Sequence, residues 1–252
     1  MRKIAIITGA TGGLGQEFVR QICSENEAEE IWAVGRNREK LDTLKAFDAR
    51  VQVIEADLAA DGMDILRRKL KENAPEVRLL INNAGVGYMG PFKKMSTEQV
   101  ESICRLNCSV PSELIADVLP YMHEGAAIIN ISSASSFQPN PYLAVYSASK
   151  VYLRNLSRAL SVELKPRKIS VTCVCPGWVD TGMLPRKKDG KKIRYTGMIR
   201  AERVVKKALR DSAKKRDMSV PGWFARYFRF YSKITPTKLV MKQWTYAIRK
   251  YI

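Results

Sequence analysis

The sequence predicts a doubly wound α/β fold, a parallel sheet of about seven strands with helices on both faces. Two observations carry this expectation. Short, β-branched apolar runs near 3–7, 31–34, 51–55, 78–81, 126–132, 169–174 and 217–220 alternate with helical stretches near 14–24, 37–45, 61–73, 96–118, 142–164 and 201–214. The chain also has 252 residues, 46% of them hydrophobic, which suits one α/β core. A single domain is expected over residues 1–220, followed by a helical extension at 221–252 packed on or beside it.

The first strand, Lys3–Ile7, runs into Thr8-Gly-Ala-Thr-Gly-Gly-Leu-Gly15 and then the helix Gln16–Ser24. Gly9, Gly13 and Gly15 permit a tight turn and let backbone approach a pyrophosphate at a helix N-terminus. A glycine-rich stretch can be only a turn, but placed between strand and helix it points to a bound nucleotide. The second strand, Ile31–Val34, ends in Gly35-Arg36 rather than an acid. An Asp or Glu there would bond the ribose 2′-hydroxyl of NAD, whereas an arginine accommodates the 2′-phosphate of NADP. NADP(H) is therefore favoured over NAD(H). The alternative is a solvated Arg36 that merely opens the helix Asn37–Lys45. Further along, Ser96-x-x-Gln99 has the pattern of a capping box at a helix start.

The strand beginning at Ala126 ends in Ser132-Ser133, and the helix that follows carries Tyr146 and Lys150. Tyr-x3-Lys sets a phenol and an ammonium one turn apart on the same face. A nearby cation lowers a phenol's pKa, which fits it for proton exchange with a carbonyl or alcohol. With 10 Tyr and 22 Lys, about one such pair is expected by chance, and a second stands at Tyr246–Lys250. Context separates them. Ser133 and Tyr146 sit at the carboxyl edge of a strand and on the next helix, where open α/β sheets bind ligands. The next strand, Ile169–Val174, leads to Pro176-Gly177, while no strand follows Tyr246.

These motifs resemble the short-chain dehydrogenases/reductases over about residues 3–220. Thr8-Gly-x3-Gly-x-Gly15, with Thr11 and Leu14 inside it, is similar to their cofactor turn, and Asp57-Leu58 to the pair that contacts adenine. Asn82-Asn83-Ala84-Gly85 closes the fourth strand as theirs does, Asn107 matches a helix asparagine, and Ser133 stands 13 residues before Tyr146. Pro176-Gly177, Val179 and Thr181 match the loop that meets the nicotinamide carboxamide. The resemblance implies a Rossmann-like fold and a set of roles. Tyr146 would be general acid and base, and Lys150 would bind the nicotinamide ribose and hold the Tyr pKa down. Ser133 would bond the substrate oxygen, and Asn107 would position a water relaying protons to Lys150. The resemblance also implies a homodimer or homotetramer through the Ser96–Met122 and Leu143–Leu164 helices. The last 30 residues match nothing general in the family.

Composition narrows the chemistry. Cys23, Cys104, Cys108, Cys173 and Cys175 are odd in number and scattered, which suits a reducing compartment and packing roles. His123 is the one histidine, expected at a helix end on the surface, so a zinc site or a Ser–His–Asp triad is not expected. The N-terminus runs straight into a strand and no stretch is apolar enough to span a bilayer, so a cytoplasmic protein without signal peptide is expected.

Charge is distributed unevenly. Residues 1–184 carry 22 Lys/Arg against 21 Asp/Glu, whereas residues 185–252 carry 21 against 4. The extension also holds 9 of the chain's 21 aromatic residues. On a helical wheel Trp223, Phe224, Tyr227, Phe228 and Tyr231 share one arc, with Arg226, Arg229 and Lys233 opposite. Thr235-Pro236 could cap and start another helix, whose face would be Leu239, Val240, Trp244, Ala247, Ile248 and Tyr251. Such a tail could cover the substrate cleft or a subunit interface, or lie peripherally on an anionic membrane surface. Nucleic acid binding is disfavoured, because no base-reading element accompanies the charge.

Met183–Gly197 carries Arg186, Lys187, Lys188, Lys191, Lys192 and Arg194, and by resemblance would be a mobile lid. Its charge is either solvated or directed at an anionic substrate group. The reading as a whole is NADPH-dependent reduction of a carbonyl, or alcohol oxidation, on a lipophilic substrate such as a 3-oxoacyl chain or ketosteroid. Leu143, Val145, Trp178, Met183 and Leu184 would line its pocket. The alternative is an NADP(H)-binding sensor or scaffold that uses the fold without turnover.

Overall fold

The computed structural model describes residues 1–25, 28–182, 184, 187–188 and 191–249, with only the backbone described at 187–188 and 191–192. Counting strands of the central sheet, β1 is Lys3–Thr8, β2 Glu30–Gly35, β3 Val51–Glu55, β4 Glu76–Asn82, β5 Ala127–Ile131, β6 Ser170–Val174 and β7 Met218–Ser219. They form one seven-stranded sheet in the order β7-β6-β5-β4-β1-β2-β3. Every pairing is parallel. Each strand must therefore be joined to the next by a crossover, and the helices that make these crossovers cover both faces.

Strand alternation divides the core. Ile4 and Ile6 of β1 face Leu66 and Leu70 of α3 (Gly62–Asn73) and Leu114 and Val118 of α5 (Val110–Val118). Ala5 and Ile7 face Phe18 and Val19 of α1 (Gly13–Cys23) and Val204 and Val205 of α7 (Ala201–Ala213). Between them in the chain lie α2 (Arg38–Asp42), capped by the Asn37 side chain, α4 (Thr97–Cys104) and α6 (Ala144–Glu163). The capping box at the start of α4 is formed by Ser96 and Gln99.

The stretch expected as one helix over 96–118 is interrupted. A π turn over Arg105–Ser109 separates α4 from α5, and it carries Asn107. His123 is exposed after this helix pair. Cys173 and Cys175 are buried on β6 and its exit with their sulfurs 3.6 Å apart, as unlinked thiols.

The extension forms α8 (Trp223–Ile234) and α9 (Thr237–Ile248). Here the wheel must be corrected. Phe224 and Phe228 stack on each other at 6.1 Å, and Ala225 and Phe228 pack with Ala134, Cys173, Cys175 and Val220. Trp223 and Tyr227, expected on the same face, point to solvent. Phe224 turns inward because Gly197, at φ +70, leaves it room: a Cβ there would stand 2.3 Å from the Phe224 Cβ. In α9 Val240 and Ile248 are buried, whereas Leu239 and Ala247 are exposed and Tyr251 lies outside the described residues. Thr235 ends α8 rather than capping α9, whose N-cap is Pro236. The Tyr231 phenol donates to Gln243 Oε1 and ties the two helices together. Among the described residues, no helix is long and apolar enough to cross a membrane.

Candidate active site

The strand order reverses between β1 and β4, so the crevice opens where their carboxyl ends meet. Thr8 joins the two ends. Its hydroxyl donates to Ile81 O at 3.3 Å and accepts the amides of Asn83 and Ala84 at 3.0 Å. The Asn83 side chain donates back to Thr8 O at 2.9 Å and Gly9 O at 3.0 Å. Gly9 has φ +63, and a Cβ there would stand 2.9 Å from Ala84 Cα. At Gly15 it would stand 2.1 Å from Gly9 O. These glycines hold the backbone tight around the start of α1, leaving a concave rim of main chain at a helix N-terminus. That shape fits a pyrophosphate.

The neighbouring loops complete the rim. Thr11 lies against Gly35 at the end of β2, and Thr181 lies against Gly13. Arg36 reaches toward Asp57, with nitrogen and oxygen 3.6 Å apart and both side chains substantially exposed. The guanidinium is thus free enough to serve a 2′-phosphate. Asp57 also accepts the Ala59 amide at 3.0 Å, which shapes its turn. Leu14 is half-buried, and the Leu58 side chain is buried in the core. Pro176 O accepts the Ala134 amide at 2.7 Å, Gly177 lies under α8, and Val179 pairs with Ile199 in a two-residue strand.

Tyr146 and Lys150 on α6, Ser133 after β5 and Asn107 on the π turn are brought together. The Ser133 hydroxyl lies close enough to the Tyr146 phenol to pull its pKa down. Lys150 is buried, donates to Ile131 O at 2.9 Å, and lies 5.6 Å from the Tyr146 ring centre. Burial lowers its pKa from 10.5 to about 8. Tyr146 departs from the expected direction. Burial raises its phenol pKa and the Ser133 hydroxyl only partly opposes this, while the Lys150 ammonium donates to Ile131 O. The phenol therefore holds its proton at neutral pH.

Asn107 is fully engaged. Its Oδ1 accepts the Val86 amide at 2.9 Å, and its Nδ2 donates to Val86 O at 2.9 Å and Ser149 Oγ at 3.0 Å. The side chain pins the exit of β4 to α6. Gly85 makes room for this, since a Cβ there would stand 3.0 Å from Asn107 Oδ1 and 3.4 Å from Lys150 Nζ.

Four contributors escape a motif reading. Gly87 lets the Tyr146 ring approach its backbone, where a Cβ would stand 2.7 Å from the ring. Ser149 and Val86 hold Asn107, and the Ile131 carbonyl holds Lys150. The Gly85-Val-Gly87 repeat was the only local signal. Leu143 is buried, Val145, Trp178 and Leu184 are half-buried, and Met183 lies outside the described residues, as do Arg186 of the segment expected as a lid and Lys250 of the second Tyr–Lys pair. Lys187–Lys188 and Lys191–Lys192 form a small antiparallel pair of strands. Among the described residues, no group of His, Cys, Asp and Glu could hold a metal ion.

A family model described as short chain dehydrogenase matches residues 3–192. The human inactive hydroxysteroid dehydrogenase-like protein 1 is 35% identical over 191 residues, covering 71% of this chain and 56% of that protein. A very-long-chain 3-oxoacyl-CoA reductase of Podospora anserina is 32% identical over 77% of this chain and 58% of its own length. The chain thus spans little more than half the length of these relatives. A short-chain dehydrogenase from Sphingobium yanoikuyae, solved with NADPH, superposes with a TM-score of 0.78 at 26% identity over 92% of this chain and 93% of its own.

Proposed function

Because this chain belongs to the short-chain dehydrogenases, we propose that it is an NADP(H)-dependent carbonyl reductase, or the reverse alcohol dehydrogenase, acting on a lipophilic substrate such as a 3-oxoacyl chain or ketosteroid. The observation that carries this reading is the convergence of Tyr146 and Ser133 beside the buried Lys150, whose Nζ lies 5.6 Å from the Tyr146 ring centre. A bound NADPH would supply the hydride. It would be held by the Thr8–Gly15 rim, Arg36, Asp57, the Asn83–Gly85 turn, and the Pro176–Thr181 loop.

The chain's own groups supply the rest. Ser133 donates to the substrate carbonyl oxygen and fixes its position. Tyr146 hands its phenolic proton to that oxygen as negative charge develops there. The raised phenol pKa keeps the proton in place at neutral pH and suits reduction. Lys150 remains largely protonated at neutral pH, stabilises charge left on Tyr146, and can bond the nicotinamide ribose. Asn107 holds the β4 exit against α6, and so would keep the Asn83–Gly85 turn that could meet a cofactor in register with the helix carrying Tyr146.

Similarity to a very-long-chain 3-oxoacyl-CoA reductase and to an NADPH-bound enzyme supports the substrate class and the cofactor. A second reading, nucleotide binding without turnover, draws on the relative named inactive. NADPH oxidation across 3-oxoacyl thioesters, ketosteroids and small aldehydes decides between them, with Tyr146→Phe as control. The catalytic reading expects turnover on at least one lipophilic ketone and its loss, by about 10²–10⁴-fold, in the variant. Flat responses with intact NADPH binding would leave only the sensor.

A further inference from the structure

We propose that the α8–α9 hairpin docks this protein on an anionic lipid bilayer through an exposed aromatic and apolar stripe rimmed by Lys and Arg. The stripe comprises side chains that the fold leaves uncovered. On α8, Trp223 is 61% exposed, Tyr227 56%, Phe230 62% and Ile234 65%. Their spacing places them within about 60° of arc on a helix. On α9, Leu239 and Tyr246 are exposed two turns apart, on the side away from buried Val240 and Ile248. Large apolar groups aligned this way on otherwise satisfied helices mark an interaction surface.

Charge identifies the partner. Arg226 and Lys233 are exposed beside the α8 stripe, and Lys238, Lys242 and Arg249 on α9. No Asp or Glu occurs between residue 218 and the end of the chain. A second copy meeting this face about a two-fold axis would set like charges against each other. Anionic headgroups complement them, and Trp and Tyr settle at the headgroup level while Phe, Leu and Ile enter below.

The hairpin is fixed to the fold on its other side. Phe224 and Phe228 pack inward near Gly177 and Gly197, and Trp244 joins Trp178 and Pro141. Docking would therefore bring the loops that flank Ser133 and Tyr146 close to the lipid phase. This inference does not rest on turnover, because none of the stripe residues is given a part in the chemistry.

The test is sedimentation of the full chain with vesicles of phosphatidylcholine alone and of phosphatidylcholine mixed with phosphatidylglycerol. Binding to the anionic vesicles should be at least about tenfold stronger and should weaken at high salt. Combining Trp223→Ser, Phe230→Ser and Ile234→Ser should reduce it about tenfold or more. Combining Arg226→Gln, Lys233→Gln and Lys242→Gln should remove the anionic preference, with unfolding midpoints confirming that both variants fold. Equal sedimentation of wild type and both variants, or no sedimentation of wild type, overturns the proposal. So does a wild-type oligomer that the serine variant converts to monomer without any vesicle binding, which would make the face an interface between copies. Salt-sensitive binding to duplex DNA without vesicle binding would also overturn it.

Discussion

Trp244 stacks on Trp178 with ring centres 6.2 Å apart and planes 18° from parallel, and its indole N–H donates to Pro141 O at 2.9 Å. One side chain from α9 thus ties the extension to the loop after β6 and to the loop before α6. Trp244→Phe keeps an aromatic ring but loses the N–H bond, which should cost about 1 kcal/mol. Trp244→Ala loses both, and about 2–3 kcal/mol is expected for a half-buried ring. Urea unfolding midpoints measure these differences. Values indistinguishable from wild type would mean that α9 is not fixed to the site.

Gly15 and Gly12 offer a contrast within one turn. At Gly15 an added Cβ would stand 2.1 Å from Gly9 O and 2.8 Å from Ala10 Cα, both main chain, so nothing flexible can yield. At Gly12 the nearest atom would be 3.4 Å away, and its φ of −80 with ψ 161 suits any residue. Gly15→Ala should destabilise by at least about 2–3 kcal/mol and abolish NADPH binding, whereas Gly12→Ala should cost about 1 kcal/mol or less. Thermal unfolding together with NADPH fluorescence titration reads both effects.

On the proposed function, Arg36 serves cofactor choice rather than stability. Its ion pair with Asp57 spans 3.6 Å between groups 65% and 41% exposed, a geometry that contributes little to folding. Arg36→Ala should therefore change stability by no more than about 0.5 kcal/mol. Losing a charge-assisted bond to the 2′-phosphate should raise the Kd for NADPH by about 10–100-fold, with NADH affinity unchanged. Parallel loss of both affinities would show that Arg36 supports the fold of the rim instead.

Much of this was legible in the sequence because the signals are local. Apart from the two-residue β7, each sheet strand contains a short apolar run, and Gly9, Gly13 and Gly15 mark a turn whose geometry excludes side chains. What escaped depends on distant partners. The π turn at Arg105–Ser109 contains neither glycine nor proline; Asn107 is held there by Val86, 21 residues earlier, and by Ser149 on α6. The helical wheel ranked angles within α8, but which arc meets the core was decided by the room beside Gly197. The Tyr146–Lys150 spacing implied a phenol tuned downward, yet Ile131 O holds the ammonium and burial raises the phenol.

Lys150 should leave a signature in the pH dependence of stability. It is 5% exposed, and burial lowers its pKa from 10.5 to about 8, with the Cys173, Cys108 and Cys175 thiols opposing that shift. Below about pH 8 both folded and unfolded chains carry the proton, so the full cost of burying the ammonium is present. Between about 8 and 10.5 the unfolded chain still binds a proton that the native state has lost, so stability rises with pH. In Lys150→Met the titration is gone. The lost bond to Ile131 O offsets the variant's stability by a constant but adds no slope. Wild-type stability minus that of Lys150→Met should therefore climb with pH across this window, by on the order of 1 kcal/mol per unit. Urea unfolding at successive pH values from neutral to alkaline measures the difference. A flat curve would show that Lys150 is hydrated and not desolvated, and would remove the reason for its depressed pKa.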